Sequence, residues 1–225
     1  MRIGEYVIPT FPIMLTLGVV GMYLCTYKRK TVFSLNAWKS AIITVLLTLV
    51  GVAGAMLLYF FESGSFGGVS FYGSVFLIPL LMPLLGLLFR LKPGQTMDIC
   101  SPCVAIMIGC MRFNCFLSGC CGGWEMCIGE FCFKWPTQAM DSIGDFAILS
   151  VLLYMEKKKP QNGILYPTFM LLYSVMRFFL EFLRDTPKDW LYLSHGQWFA
   201  LIAIAVGIGW ILLARKRMTS KECLS

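Results

Sequence analysis

The chain has 225 residues, of which 58% are hydrophobic and only 14% are charged. A soluble domain of this length would need more polar surface than this composition supplies, so the soluble globular class is excluded. The net charge of +7 comes from basic residues placed between apolar runs, and we expect no nucleic acid partner. The sequence therefore predicts one polytopic membrane domain over residues 1–225.

Seven apolar runs could cross a bilayer, whose core of about 30 Å requires roughly 20 residues of helix. The predicted spans are residues 6–25, 41–61, 70–89, 97–116, 142–154, 163–183 and 196–214. The fifth run is short and begins with acidic residues. The first has neither a basic leader nor a small-residue cleavage site, so we expect no removable signal peptide. The predicted fold class is an all-α membrane protein with about seven transmembrane helices.

The basic residues predict the orientation, because Lys and Arg accumulate in cytoplasmic loops. With the N-terminus outside and the C-terminus in the cytoplasm, thirteen of the 19 Lys and Arg residues lie on the inner side. Four lie outside and two lie within spans. The opposite orientation would invert this bias. We therefore predict a multi-pass protein of the cytoplasmic membrane in which residues 119–141 form a long external loop.

Two arginines, Arg112 and Arg177, lie within predicted spans at similar depth, near the outer ends. A charge inside a membrane is costly and usually has a function. Because a guanidinium binds phosphate in a bidentate way, the two could clamp the headgroup of one anionic phospholipid. Glu181 follows Arg177 by four residues and shares its helix face. Alternatively, Arg177 simply pairs with Glu181 while Arg112 snorkels to the surface.

Cysteines are concentrated in and before the external loop, with eight of the ten between residues 100 and 132. Because the loop faces a compartment that is oxidising in most cells, one alternative is a disulfide there. Cys121 with Cys132 and Cys127 with Cys132 are both possible pairings.

Three cysteines close to Arg112 could instead serve as nucleophiles, because a nearby guanidinium favours the thiolate. They are Cys115, Cys120 and Cys121. A metal site is less favoured, since the spacings are not paired C-x-x-C motifs and His195 is the only histidine. We therefore expect neither a metal nor another cofactor.

Five short motifs follow one another from about residue 67 to the end, over roughly two-thirds of the chain. They are GVSFYG at 68–73, RFNCFLSGCCGG at 112–123, WPTQ at 135–138, RFFLEFLRD at 177–185 and GQ at 196–197. Together and in this order they resemble the prolipoprotein diacylglyceryl transferase family. The topology of that family, seven spans with the N-terminus outside, agrees with the one predicted from charge.

The resemblance implies an enzyme that moves the diacylglyceryl group of phosphatidylglycerol to the lipobox cysteine thiol of a secreted prolipoprotein, at the outer membrane face. Anionic phospholipid and prolipoprotein would be its partners. By position, the resemblance implies catalytic roles for Tyr72, Arg112, Arg177 and Glu181. It implies substrate contacts for Gly68, Ser70, Asn114, Cys115, Ser118, Gly119, Cys120, Gly123, Gln138 and Asp141.

Several positions depart from the family pattern. Tyr72 and Trp135 stand where the family has histidines, and Cys115, Ser118 and Cys120 replace two asparagines and a glutamate. A tyrosine hydroxyl can donate a hydrogen bond but is a poor base at neutral pH. Either Tyr72 or the single histidine at the start of the last span could therefore take the place of the family histidine. The alternative functions are a cysteine-nucleophile acyltransferase and a non-catalytic phospholipid-binding or transport protein on the same scaffold.

Overall fold

The computed structural model describes residues 2–3, 6–7, 10–65, 67–120, 122–128, 131–158, 163–186 and 192–222. Its helices are α1 (Thr10–Lys28), α2 (Lys30–Phe33), α3 (Ala37–Ser63), α4 (Phe71–Leu87), α5 (Pro93–Ser118), α6 (Thr137–Lys158), α7 (Leu165–Leu180) and α8 (His195–Glu222). A 3-10 turn, Glu181–Leu183, extends α7. Two antiparallel hairpins are formed by β1 (Arg2–Ile3) with β2 (Tyr6–Val7) and by β3 (Glu125–Ile128) with β4 (Phe131–Lys134).

The described residues are mostly helical, and four helices are long and apolar enough to cross a membrane. They are α1, α3, α5 and the part of α8 from His195 to Ala214, with mean hydropathies between 1.5 and 2.5. Helix α4 is also apolar but has only 17 residues. The protein is therefore a multi-pass, largely helical membrane protein, and the two short hairpins are its departure from the all-α class.

The predicted fifth span is the middle of a longer helix. Helix α6 begins at Thr137, so that Gln138 and Asp141 lie in its first turns, where both are buried. The backbone N–H of Met140 donates to the carbonyl of Pro136 at 3.1 Å, which continues the helical pattern back to that proline. The prediction that residues 119–141 form one loop was wrong at its end. A search for apolar runs could not find the first turns of α6, because the side chains that are buried there are polar.

Helix α5 is the centre of the bundle and packs against α1, α4, α6 and α7. Of its most apolar stretch of 18 residues, 67% is buried, compared with 22% for α1 and 33% for α3. Large apolar side chains on the outer helices, such as Leu17 and Leu49, are more than half exposed. This is the pattern expected of a bundle whose outer helices face lipid.

Helices α3 and α4 approach each other most closely at two glycines. A Cβ on Gly73 would overlap the backbone carbonyl of Gly54, and a Cβ on Gly54 would lie 2.9 Å from the carbonyl carbon of Gly73. Small residues at such a crossing let two membrane helices come together. Gly73, at the end of the GVSFYG motif, therefore has a packing role.

Arg29, just after α1, ties that helix to α5 and α6 at one end of the bundle, which we call the Arg29 end. Its Nε donates to both carboxylate oxygens of Glu156 at 2.8 and 2.9 Å, and its Nη2 donates to the carbonyl of Asp98 at 2.7 Å. The Asp98 carboxylate in turn accepts the backbone N–H groups of Gly163 at 2.8 Å and Leu165 at 3.1 Å. Every charged group of this buried cluster has a partner.

Replacement of Glu156 with alanine should lower the unfolding temperature, because the buried Arg29 guanidinium would lose its counter-charge. Removing one partner of a buried pair typically costs about 3–5 kcal/mol. Thermal unfolding of the purified protein in detergent measures the effect. The matched control is the exposed neighbour Lys157, whose replacement with alanine should change the unfolding temperature little. An Arg29→Met/Glu156→Leu double variant should recover part of the loss, and a Glu156→Ala variant as stable as the parent would contradict this account.

Candidate active site

Six ionisable side chains meet where α5 ends and the hairpin β3–β4 begins, which we call the hairpin end of the bundle. They come from α5, α6, α7 and the turn after α7, and each is at most 7% exposed. They are Arg112, Asp141, Asp145, Arg177, Glu181 and Arg184. Charges buried among apolar helices are usually paired. The pairing within this cluster therefore decides its geometry.

Asp141 joins the two arginines for which the sequence predicts phosphate binding. Nη1 of Arg177 donates to Oδ2 of Asp141 at 3.0 Å and lies 3.3 Å from Oδ1. Nε of Arg112 lies 3.5 Å from the same Oδ2. The guanidinium carbon of Arg112 is also 4.5 Å from the centroid of the Phe71 ring, a cation–π distance. Arg112 therefore points into the bundle, and the alternative in which it snorkels to the surface is wrong.

Glu181 contacts Arg177 from the other side. Nη2 of Arg177 lies 2.9 Å from Oε2 of Glu181, and the Ser194 hydroxyl donates to Oε1 at 3.2 Å. The first turn of α8 also packs on this carboxylate, since a Cβ on Gly196 would lie 3.2 Å from Oε1. Two carboxylates, from α6 and from the 3-10 turn, thus fix the orientation of the Arg177 guanidinium.

Arg184 is a third buried arginine at the hairpin end, and the sequence analysis assigned no role to it. Its Nη1 lies 3.8 Å from Oε2 of Glu181. Burial, together with the nearby positive charges of Arg177 and Arg112, lowers the pKa of Arg184. A bound anion would relieve this repulsion. Arg184 is part of the RFFLEFLRD motif, and its position three residues after Glu181 could have indicated that it lies near this site.

Asp145 is a second residue that the sequence analysis did not single out. It follows Asp141 by four residues on α6 and is completely buried, and neither of its carboxylate oxygens has a hydrogen-bond partner among the described residues. The sequence feature that could have identified Asp145 is its spacing of four residues from Asp141, which puts both on one face of the helix. Unpartnered buried carboxylates are rare and costly, so Asp145 is a further candidate residue of this site.

Tyr72 is buried on α4, where its ring centroid lies 5.7 Å from that of Tyr173 on α7 and 6.0 Å from that of Phe199 on α8. The hydroxyls of Tyr72 and Tyr173 have no hydrogen-bond partner among the described residues. The structure thus brings Tyr72 against the helix that carries Arg177. Its ring is fixed by packing, and its hydroxyl is buried without such a partner.

Gly68 and Ser70, predicted to contact substrate, connect α3 to α4. A Cβ on Gly68 would lie 2.7 Å from the ring of Tyr59, so a larger residue there would displace this ring. The Ser70 hydroxyl donates to Glu62 at 3.2 Å. Gly68 and Ser70 thus contact the end of α3, whereas Tyr72 of the same motif packs against Tyr173 of α7.

The end of α5 depends on a glycine at residue 119. Gly119 has φ +68°, in the left-handed region that favours glycine, and the N–H of Cys120 donates to the carbonyl of Cys115 at 3.2 Å. The side-chain amide of Gln138 donates to the carbonyl of Cys120. This contact places the start of α6 beside the end of α5 and so brings Asp141 close to Arg112.

Gly123 fastens the base of the hairpin to the turn after α7. Its N–H donates to the carbonyl of Trp135 at 3.0 Å, and it forms a β-bridge with Arg184. A Cβ on Gly123 would overlap the backbone carbonyl of Leu183, so only glycine fits at this crossing. The closing glycine of the signature therefore positions the backbone next to Glu181 and Arg184.

Asn114 and Ser118, also predicted to contact substrate, differ in their surroundings. Asn114 is buried, and its Oδ1 has no hydrogen-bond partner among the described residues. The Ser118 hydroxyl lies 3.2 Å from that of Thr10 and so links α5 to the start of α1. The Oδ1 of Asn114 is thus a buried acceptor without such a partner, whereas the Ser118 hydroxyl contacts a neighbouring helix.

Cys127 and Cys132 face each other across the hairpin and form a disulfide. Of the two pairings that the sequence left open, the structure contains this one, and Cys121 lies outside the described residues. Cys115 is half-buried and Cys120 is exposed, with the Cys120 thiol 3.7 Å from the carbonyl of Cys115.

The comparisons with known proteins agree with the motifs. The sequence model of the family described as prolipoprotein diacylglyceryl transferase matches residues 1–213. The phosphatidylglycerol–prolipoprotein diacylglyceryl transferase 2 of Clostridium perfringens is 31% identical, over 91% of this chain and 89% of its own. The phosphatidylglycerol–prolipoprotein diacylglyceryl transferase of Finegoldia magna is 26% identical over 92% of this chain and 90% of its own, and that of Ehrlichia ruminantium is 25% identical over 96% and 95%. Because the family match extends over almost the whole sequence, the chain belongs to the prolipoprotein diacylglyceryl transferase family.

Proposed function

We propose that this protein transfers the diacylglyceryl group of phosphatidylglycerol to the lipobox cysteine thiol of a prolipoprotein. The names of its relatives contain both substrates. The observation that carries the proposal for this chain is the convergence of Arg112 and Arg177, from two helices, on one buried carboxylate.

The arginine cluster fits the phosphodiester of an anionic phospholipid. Guanidinium groups bind phosphate oxygens in a bidentate way and stay charged when partly buried. Asp141 and Glu181 hold the guanidinium of Arg177 in place before a lipid arrives, so little reorganisation is needed on binding. Arg184 adds positive charge at 3.8 Å from Glu181.

The transfer step is a displacement at the carbon of the diacylglyceryl unit that carries the phosphate. The acceptor sulfur forms a bond to this carbon while the carbon–oxygen bond to phosphate breaks, and the electron pair leaves with the phosphate oxygen. The thiol loses its proton, and the departing glycerol phosphate takes one up, so that atoms and charges balance. Negative charge grows on the phosphate as the bond breaks, and Arg112 and Arg177 would stabilise it there.

Tyr72 occupies the position of a family histidine, and we assign it the task of a hydrogen-bond donor rather than of a base. Its ring is held by Tyr173 and Phe199, and its hydroxyl has no partner among the described residues. An oxygen of the bound lipid would satisfy this donor. Gln138 and Asn114 would line the same site from α6 and from the end of α5.

The protein would place this site at the outer face of the cytoplasmic membrane. We propose seven crossings, by α1, α3, α4, α5, α6, α7 and α8, with the N-terminus outside. The support is the concentration of Lys and Arg in the connections at the Arg29 end and in the C-terminal segment.

Fusions to reporter proteins test this orientation. A fluorescent protein that folds only in the cytoplasm, fused after residue 222, should fluoresce. Alkaline phosphatase, which is active only outside, should be active when fused within the hairpin after residue 128 and inactive when fused after residue 222. The reverse pattern of activities would contradict the proposed orientation.

Replacing Arg112 or Arg177 with alanine should lower the transfer rate by about 10²–10³-fold, the usual effect of losing one group that stabilises developing charge. The assay follows glycerol phosphate release from phosphatidylglycerol and the mass increase of a lipobox peptide. Arg90→Ala is the matched control, because Arg90 is exposed at the Arg29 end, and it should keep parental activity. Parental activity in Arg112→Ala or Arg177→Ala protein that is inserted and folded would refute the assignment.

A Tyr72→Phe variant should lose about tenfold in transfer rate, the value of one neutral hydrogen bond. Its unfolding temperature should hardly change, because the ring that packs against Tyr173 is retained. The matched control is Tyr166→Phe, which also removes a buried tyrosine hydroxyl, but one that donates to the carbonyl of Val75 in the core. Tyr166→Phe should affect stability more than the transfer rate. Equal transfer rates for Tyr72→Phe and the parent would show that the hydroxyl is not used.

A further inference from the structure

The hairpin β3–β4 has two chemically different faces. Its cross-strand partners are Glu125 with Lys134, Met126 with Phe133, and Cys127 with Cys132. Because successive residues of a strand point to opposite faces, Met126 and Phe133 share one face. The disulfide and the two charged residues lie on the other.

The apolar face continues through two tryptophans at the base of the hairpin. The N–H of Trp135 donates to the carbonyl of Trp124 at 3.1 Å, so these residues extend the ladder, and the rings of Phe133 and Trp135 are 5.8 Å apart. Trp124, Met126 and Phe133 are 48%, 42% and 42% exposed. An exposed group of large apolar side chains backed by a charged face marks an interaction surface.

The position of the hairpin identifies the partner. It connects the end of α5 to the start of α6, and the N–H of Trp124 fastens its base to the carbonyl of Leu183 at 3.0 Å. The flanking helix ends carry exposed apolar side chains, with Phe116 on α5 43% exposed and Ile143 on α6 70% exposed. In a membrane protein these side chains face lipid, so the hairpin lies at the level where α5 and α6 leave the bilayer.

We propose that the apolar face of this hairpin lies in the headgroup region of the bilayer as an interfacial anchor. Tryptophan and other amphipathic aromatics are enriched at this level of membrane proteins, because their rings prefer the boundary between lipid and water. The opposite face keeps Glu125 and Lys134 in water. The disulfide closes the hairpin and holds its two strands in register, so that the apolar residues remain on a single surface.

Anchoring would have a consequence for the neighbouring arginine cluster. The base of the hairpin is bridged to Arg184 through Gly123, and Arg184 lies beside Glu181. A hairpin fixed in the interface would hold this segment at a constant height relative to the phosphates of the lipid. The anchor itself does not depend on the transferase activity.

Photocrosslinking at two adjacent positions tests the proposal. Benzoylphenylalanine is introduced at Phe133, on the apolar face, or at Lys134, on the polar face, of the full chain reconstituted in dioleoylphosphatidylcholine vesicles. After irradiation, intact-mass measurement should show an adduct of one lipid for position 133, at least about tenfold more abundant than for position 134. Ile143 on the lipid-facing side of α6 is the positive control and should give the same adduct.

A second pair on the other strand, Met126 against Glu125, repeats the comparison in case one of the first variants does not fold. Equal lipid labelling on both faces would overturn the anchor, and so would no labelling at 133 and 126 when Ile143 is labelled. A crosslink from position 133 to a polypeptide instead of a lipid would also overturn it, since the face would then bind protein.

Discussion

The hairpin end of the structure depends on the contacts that the Asp141 carboxylate makes with Arg112 and Arg177. This carboxylate lies against Nη1 of Arg177 and near Nε of Arg112, and it is itself completely buried. Two guanidiniums inserted among apolar helices would repel each other and be poorly solvated without it. Because the three residues come from α5, α6 and α7, this ion cluster also fixes how these helices are rotated relative to one another.

A second buried cluster, at the Arg29 end, differs from the cluster around Asp141 in how completely its polar groups are paired. Arg29 uses all three nitrogens of its guanidinium, towards Glu156 and two backbone carbonyls, and Asp98 accepts two backbone N–H groups. Such a saturated cluster joins helices and leaves no group for a ligand. The hairpin end retains unpartnered atoms on Asp145 and Tyr72 among the described residues. In the proposed function, these groups would be available to the phosphate of a bound lipid, at a cost in stability.

Several departures from the family pattern, including the loss of a glutamate at Cys120, lie near this cluster, whereas Arg112, Arg177 and Glu181 match the pattern. Tyr72 keeps a hydrogen-bonding group in the position of the family histidine but loses basicity, while Gly119 and Gly123 keep the backbone geometry that closes the signature segment. The conformation of that segment places the hairpin directly beside the arginines. In the proposed function, the two arginines assigned to the phosphate are thus kept while residues assigned to the acceptor differ.

The sequence by itself determined the membrane character and the family, and it singled out Arg112 and Arg177, which the structure brings to one carboxylate. These follow from the lengths of apolar runs, from the rarity of charge within them and from motifs in a fixed order. It also predicted the contact of Arg177 with Glu181, because residues four apart on a helix are neighbours. The tertiary structure alone decided that Asp141 lies between two arginines, since that contact depends on how three helices are rotated.

The same reason explains the other features that the sequence left open or missed. The start of α6 at Thr137 was not predicted, because its first turns bury polar side chains against protein. A search for apolar runs passes over such residues. The choice of Cys127 with Cys132 depended on the hairpin register, which sets these residues opposite each other with their Cα atoms 4.0 Å apart. Local spacing determines which residues share a helix face, whereas packing between elements decides which faces meet.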